Sequence, residues 1–192
     1  VPEKITGHAR PPVVAEEAPA FVKEVLVPMM AGRGDDLPVS KMPVDGTFPT
    51  GTTKWEKRNI SDMVPVWDES ICTQCGMCGM VCPHSVIRSK HYHEELLVDA
   101  PEGFKSAALR GKDVPPGERY TLQIYIEDCT GCGLCIGVCP AKNKTELGLR
   151  AINMEAKAPI FEQEKESVKF FESLPKVDPA ALDGTMAKDL QY

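Results

Sequence analysis

Aromatic residues are scarce in this chain, 6% of 192 positions, while prolines number 17. That balance argues against one large conventional core, although the apolar fraction, 42%, is ordinary. No apolar run approaches the ~20 residues that a membrane-spanning helix needs, so no membrane is expected among its partners. The opening Val1-Pro2-Glu3-Lys4 lacks the apolar stretch of a secretory leader. With no Met at its start, inside a Pro-rich stretch, the chain reads as cut from something larger. Lys and Arg form no run interleaved with aromatics, and a formal net charge of −6 disfavours nucleic acid. There is no Gly-rich phosphate loop and no carboxylate motif for acid–base work. No catalytic residue is assigned.

Cysteine, by contrast, is present in a strict pattern. Cys72-Thr-Gln-Cys75-Gly-Met-Cys78-Gly-Met-Val-Cys82-Pro83 and Cys129-Thr-Gly-Cys132-Gly-Leu-Cys135-Ile-Gly-Val-Cys139-Pro140 both read C-x2-C-x2-C-x3-C-P. Together they use all eight cysteines, leaving none for a disulfide or a nucleophile. This is the bacterial iron–sulfur arrangement, in which the fourth cysteine ligates the other cluster. Three cysteines at i, i+3 and i+6 in a tight loop can wrap three corners of a cube. Gly76, Gly131 and Gly133 are where the backbone must approach sulfur without a Cβ in the way. The fourth cysteine lies a helical turn further on, too far round to close the same cube. Pro83 and Pro140 come next, each fixing φ and withholding a donor.

The expected ligand sets are Cys72, Cys75, Cys78 and Cys139 for one [4Fe–4S] cluster and Cys129, Cys132, Cys135 and Cys82 for the other. A zinc site usually splits its ligands into two distant pairs, whereas here three cysteines fall in one loop, twice. A disulfide framework gives no reason for two matching quartets followed by proline. Ligation of metal contributes folding free energy directly, so the chain should be loose without iron. Eight thiolates around two 2+ cubanes would add roughly −4 to the charge. Reduced thiolate ligands suit a cytoplasmic setting better than an oxidising one.

The second run begins 57 residues after the first, Cys129 against Cys72, and the same offset superposes Thr73 on Thr130, Gly76 on Gly133 and Val81 on Val138. This internal duplication predicts an α+β fold with a pseudo-twofold, one lobe per cluster. Each lobe reads strand, cluster loop, short helix, strand. Tyr120 to Ile126 alternates with Leu122, Ile124 and Ile126 on one face, a half-buried strand. Val64-Pro-Val-Trp67 holds the matching place, short or at an edge because of Pro65. Val86-Ile87 and Leu149 to Ile152 are the returning strands. The domain proper spans 60–155, with an inter-lobe insert at 84–119. His84, His91 and His93 lie in that insert; with both clusters complete, they read as solvent-facing or hydrogen-bonded rather than as ligands.

Long extensions flank the domain. Residues 1–59 hold a helix from Ala15 to Met30, with Phe21, Val22, Val25, Leu26 and Met29 at helical spacing, then a linking segment rich in Pro, Gly and Thr. Residues 156–192 form an acidic, Pro-containing linker tail with one helix over Glu162 to Leu174.

Further segments carry a resemblance: Leu37-Pro-Val-Ser40, Asp45-Gly-Thr-Phe-Pro-Thr-Gly-Thr-Thr53, Trp55-Glu-Lys-Arg-Asn59, Val66-Trp67-Asp68 and Gly103-Phe-Lys-Ser106. Over about residues 20–155 the chain resembles the ferredoxin-like domain of pyruvate:ferredoxin (flavodoxin) oxidoreductase. The resemblance implies a bacterial two-[4Fe–4S] ferredoxin-like fold and a role as the medial and distal electron relay of a large enzyme, usually a homodimer. That enzyme decarboxylates pyruvate on thiamine diphosphate to give acetyl-CoA and passes electrons singly to ferredoxin or flavodoxin. Thiamine diphosphate, Mg and a third [4Fe–4S] cluster are expected only in other domains, since no G-D-G…N-type motif and no further cysteine occur here. The alternatives are a free-standing two-cluster ferredoxin, an iron–sulfur subunit of another redox complex such as a hydrogenase or dehydrogenase, and a non-redox protein with structural clusters. About half the chain lies outside the lobes, more than a carrier needs, and 35–59 favours the oxidoreductase over other complexes. One metal would suffice to staple a fold.

Anaerobically purified chain should carry about eight irons and about eight acid-labile sulfides. Zinc without labile sulfide, after reconstitution with excess iron and sulfide, would overturn the two-cubane reading.

Overall fold

The computed structural model describes residues 13–112 and 114–176. They divide into two units, one running to Lys57 and one from Arg58 onward.

Prolines shape the first unit. The helix expected from Ala15 begins at Ala20, because Pro19 biases the residue before it away from helical ψ. It runs as a π-helix over Val22–Leu26 and continues as α1 (Val27–Met30). Pro28 has no amide hydrogen and crowds the preceding turn. The wider π turn accommodates it, with the Val27 N–H reaching back to Val22. A π turn also shifts the register of the residues after it. Val22, Val25 and Leu26 are therefore buried, while Met29, expected on the same stripe, is 45% exposed. The helix closes in a Schellman motif: Arg33 N–H bonds Pro28 O at 2.8 Å and Gly32 N–H bonds Met29 O at 3.0 Å. Ala18, Val22 and Leu26 pack with Val14, Met30 and Trp55. The Pro/Gly/Thr-rich stretch after them is punctuated by 3-10 turns at Gly34–Asp36, Val39–Lys41 and Thr52–Trp55.

In the second unit the order is β1 (Met63–Trp67), α2 (Met77–Met80), β2 (Ile87–His93), β3 (Ala107–Ala108), β4 (Glu118–Ile124), α3 (Leu134–Val138), β5 (Ile152–Ala156) and α4 (Phe161–Ser173). The strands form two antiparallel sheets, β1-β5 and β2-β4-β3. In the first, Trp67 stands opposite Ile152 and Pro65 opposite Met154. A two-stranded sheet leaves each strand an open edge, where a proline is tolerated. In the second, Ile87 stands opposite Ile124 and His93 opposite Glu118. Val64, Trp67, Val86, Ile87, Tyr120, Leu122, Ile124 and Ile152 form one core with Cys129, Cys135 and Cys139.

Three elements differ from the sequence expectation. Strand β4 ends at Ile124 and is buried on both faces, not one. Its second face is covered: Thr121 Oγ1 donates to Lys105 O at 2.8 Å, and Gln123 Nε2 donates to Glu164 Oε2 at 2.9 Å. The last returning strand begins at Ile152 instead of Leu149. Asn153 satisfies the Arg150 backbone in both directions, at 2.9 and 2.6 Å, and so replaces ladder bonds there. The insert builds structure of its own, extending β2, forming the turn Glu94–Leu97 and adding β3.

The tail is packed as far as Leu174. Phe171 and Leu174 join Tyr92 in a second cluster. Lys90 Nζ donates to the carbonyls of Phe171 and Leu174 at 2.7 and 2.5 Å, satisfying groups that a helix end leaves open. The remainder of the expected tail, from 177, lies outside the described residues. No described helix is long and apolar enough to cross a membrane.

Candidate metal centres

Both cysteine loops bend through left-handed backbone at matching positions: Gln74 and Gly76 at φ +57° and +75°, Gly131 and Gly133 at +71° and +74°. Gly131 has the open φ it needs, but its counterpart in the first loop is Gln74, a residue rarely found there. The bend turns amides onto sulfur. Gln74 N–H reaches Cys72 Sγ at 3.3 Å, and Gly131 N–H reaches Cys129 Sγ at 3.4 Å. Gly76 and Gly133 are the N-caps of α2 and α3. These short helices pack on each other. At the end of α3, Cys139 leaves the helix at φ −64°, ψ +117°. Pro140 forces that extended backbone on the residue before it.

The result is two cavities, each lined by four cysteines. Cys72, Cys75, Cys78 and Cys139 line one, of about 340 Å³ including space open to solvent, with Trp67, Tyr120, Leu122, Ala151 and Ile152 among its walls. Cys82, Cys129, Cys132 and Cys135 line the other, of about 350 Å³ on the same measure, with Pro65, Val86, Ile87 and Met154. Each cavity thus takes three cysteines from one run and the fourth from the other. Cys132 is exposed, whereas Cys129, Cys135 and Cys139 are buried.

Donor chemistry fits a polynuclear cluster. Among the described residues no three of His, Cys, Asp and Glu converge closely enough to hold a single metal ion. Burial pushes the Cys78 thiol up to about 12 and Cys135 up to about 11. It also raises Cys72, against the smaller opposing effects of the Trp67 side chain and then the Gln74 amide, and Cys129, against that of the Gly131 amide. Four such thiols give up protons only to a strongly positive group, and metal ligation releases protons for this reason.

Sequence reasoning missed several neighbours. Gln74 is buried; its Nε2 donates to Ala108 O and its Oε1 accepts from Arg110 N–H, both at 2.8 Å, tying the insert to the first loop. Its only sequence signal is that the 57-residue offset sets it against Gly131. Arg150 Nη1 donates to the carbonyls of Gly137 and Cys139, at 3.2 and 2.5 Å, and holds the end of α3. Lys157 is buried and eases ionisation of Cys129, although desolvation of that thiol outweighs it. Nothing in the local sequence marks these contacts, which join positions distant along the chain. Of the insert's histidines, His91 faces Glu118 at 3.4 Å and His93 faces Glu95 at 3.5 Å. His84 is exposed at the rim of the second cavity.

Comparison with known proteins agrees with this chemistry. A family described as a 4Fe-4S dicluster domain matches residues 71–144, and one described as a domain of unknown function, EKR, matches 7–61. The pyruvate-flavodoxin oxidoreductase of Nostoc is 53% identical over 84% of this chain. That of Trichormus variabilis is 51% identical over 92% of this chain, and that of Rhodospirillum rubrum 45% identical over all of this chain. The chain spans 13%, 15% and 16% of those relatives respectively.

The two glycines flanking α3's cysteine separate backbone need from helix preference. A Cβ at Gly131 would lie 2.3 Å from Ser61 Oγ and 3.3 Å from Met63 O, on backbone at φ +71°. Left-handed backbone costs a side-chain-bearing residue roughly 1–2 kcal/mol. Gly137 has nothing within 4 Å and lies inside α3, where alanine gains roughly 1 kcal/mol in helix preference. Gly131→Ala should therefore lose iron to a chelator several-fold faster than the parent chain, and Gly137→Ala no faster. Equal iron retention in the two variants would count against this account of the loop.

Proposed function

We propose, from this chain's membership in the pyruvate-flavodoxin oxidoreductase family, that it is the electron-relay domain of a pyruvate-oxidising enzyme. The observation that carries the reading is the pair of cavities with four cysteines apiece, each set drawn from both runs. Cys72, Cys75, Cys78 and Cys139 hold one [4Fe–4S] cluster, and Cys129, Cys132, Cys135 and Cys82 hold the other. A cluster bound in each cavity supplies a one-electron redox couple.

The chain's own residues set the conditions for that couple. Amides of Gln74 and Gly131 lend partial positive charge to sulfur. Trp67, Leu122 and Ile152 on one side, and Val86, Ile87 and Met154 on the other, keep water from the cavity walls. The exposed Cys132 brings the second set to the surface. Matching left-handed positions at a 57-residue offset support a pseudo-twofold ferredoxin-like domain over 60–155, with 1–59 and 156–192 as its extensions toward the rest of the enzyme.

In this reading the other domains hold thiamine diphosphate, Mg and a third cluster, and convert pyruvate to acetyl-CoA. Ferredoxin or flavodoxin takes the electrons, in the cytoplasm, from a homodimeric parent. Relatedness that includes the unit before Arg58 favours this over a free-standing carrier or the subunit of another redox complex.

Dithionite should bleach the visible absorbance of the cluster-loaded chain, and flavodoxin or ferredoxin should restore it. Pyruvate with thiamine diphosphate, magnesium and coenzyme A should leave it unbleached. Steady pyruvate-dependent bleaching by this chain alone would defeat the assignment of a relay without an active site. The ligand sets have a separate test. Cys82→Ala should damage the cluster of the Cys129 loop and spare that of the Cys72 loop, as read by Mössbauer or EPR spectroscopy. Selective loss at the Cys72 loop would refute the exchanged fourth ligand.

A further inference from the structure

The two cysteine loops match closely, but the residues that stand before them do not. Trp67 ends β1 and, at the 57-residue offset, its counterpart is Ile124, which ends β4. Both side chains are buried. Only the indole carries a donor, and an indole N–H can donate but not accept. Its Nε1 is buried with no hydrogen-bond partner among the described residues, an arrangement that native proteins rarely keep without use.

The ring has little freedom to turn elsewhere. Trp67 packs edge-on to Tyr120 with centroids 5.9 Å apart. Its carbonyl accepts from Lys105 Nζ at 2.5 Å, and the next residue, Asp68, donates its N–H to Ala151 O at 2.8 Å. Both Trp67 and Cys72 line the first cavity. Trp67 thus borders the same cavity as the four thiols, and its N–H stays unpaired there among the described residues because a neutral thiol accepts weakly. A thiolate accepts far better, because hydrogen bonds to charged groups are roughly twice as strong.

We infer that Trp67 tunes the first cluster: its indole N–H donates to the Cys72 sulfur once that sulfur is a thiolate ligand, and so favours the reduced state of that cluster and not of its neighbour. Hydrogen bonds to ligand sulfur are among the influences that set such potentials. Ile124 offers the second cavity no equivalent. This inference rests on the reading that Cys72 is a ligand of a bound cluster.

Trp67→Phe keeps a buried aromatic ring and removes the N–H. Redox titration of the cluster-loaded chain, monitored by EPR, should show two couples, of which one falls and one stays. The expected fall is about tenfold in that cluster's reduction equilibrium, about 59 mV for one electron. Both couples unmoved, with about eight irons still bound, would overturn the inference and leave the relay reading intact. Both couples moving together would also overturn it, since general loosening of the core would act on both. Absence of iron from the parent chain would overturn the relay reading itself.

If the variant fails to hold its cluster, the parent protein provides the test. In the Trp55→Phe background Trp67 is the single indole, and ultraviolet resonance Raman reports the hydrogen bonding of its N–H. In the cluster-loaded chain the band should lie at the position of a hydrogen-bonded N–H. A band at the position of an unbonded indole N–H would refute the donation.

Discussion

Four thiols facing one largely apolar cavity, twice over, is the constraint on which the second unit depends. Burial resists the ionisation of Cys72, Cys78, Cys129 and Cys135, most visibly at Cys78, pushed up to about 12. A cavity of that kind is stable as a ligand set only with a strongly positive occupant. The loops, the left-handed turns and the two short helices all serve to bring sulfur to these walls. Amides aimed at Cys72 and Cys129 work in the same direction.

Exchange between the two halves runs through backbone as well as sulfur. The first strand of one half, β1, pairs with the last strand of the other, β5, and β4 pairs with β2. Neither half can complete its sheet, or its set of four cysteines, alone. Such pairings join residues far apart in the chain, and long-range contacts form late because loop closure must precede them. The core reflects this: Val64, Ile87, Ile124 and Ile152 come from four different strands and share one core with Cys129, Cys135 and Cys139.

Symmetry in the cysteines is not symmetry in their surroundings. The first cavity has Trp67, Tyr120 and a buried Gln74 that ties it to β3. Around the second set lie an exposed Cys132, His84 at the rim and Lys157 within electrostatic reach of Cys129. Two clusters bound there would experience different donors and different access to solvent. For an electron relay, such a difference gives direction.

What the sequence by itself determined is whatever depends on local spacing. Eight cysteines in two C-x2-C-x2-C-x3-C-P runs specify loop shape, because tight turns admit few backbones and Gly131 and Gly133 meet that demand directly. The C-terminal helix was legible for the same reason, as an uninterrupted helical pattern over 162–174. Tertiary structure decided the rest. Strand β4 reads as half-buried because alternation cannot reveal that α4 and the insert cover its polar face. Met29 leaves its stripe because a π turn before Pro28 shifts the register, a response to a missing amide that periodicity does not encode. Trp67, Gln74, Arg150 and Lys157 acquire their places around the cysteine loops through partners distant along the chain, and only the folded chain brings those partners together.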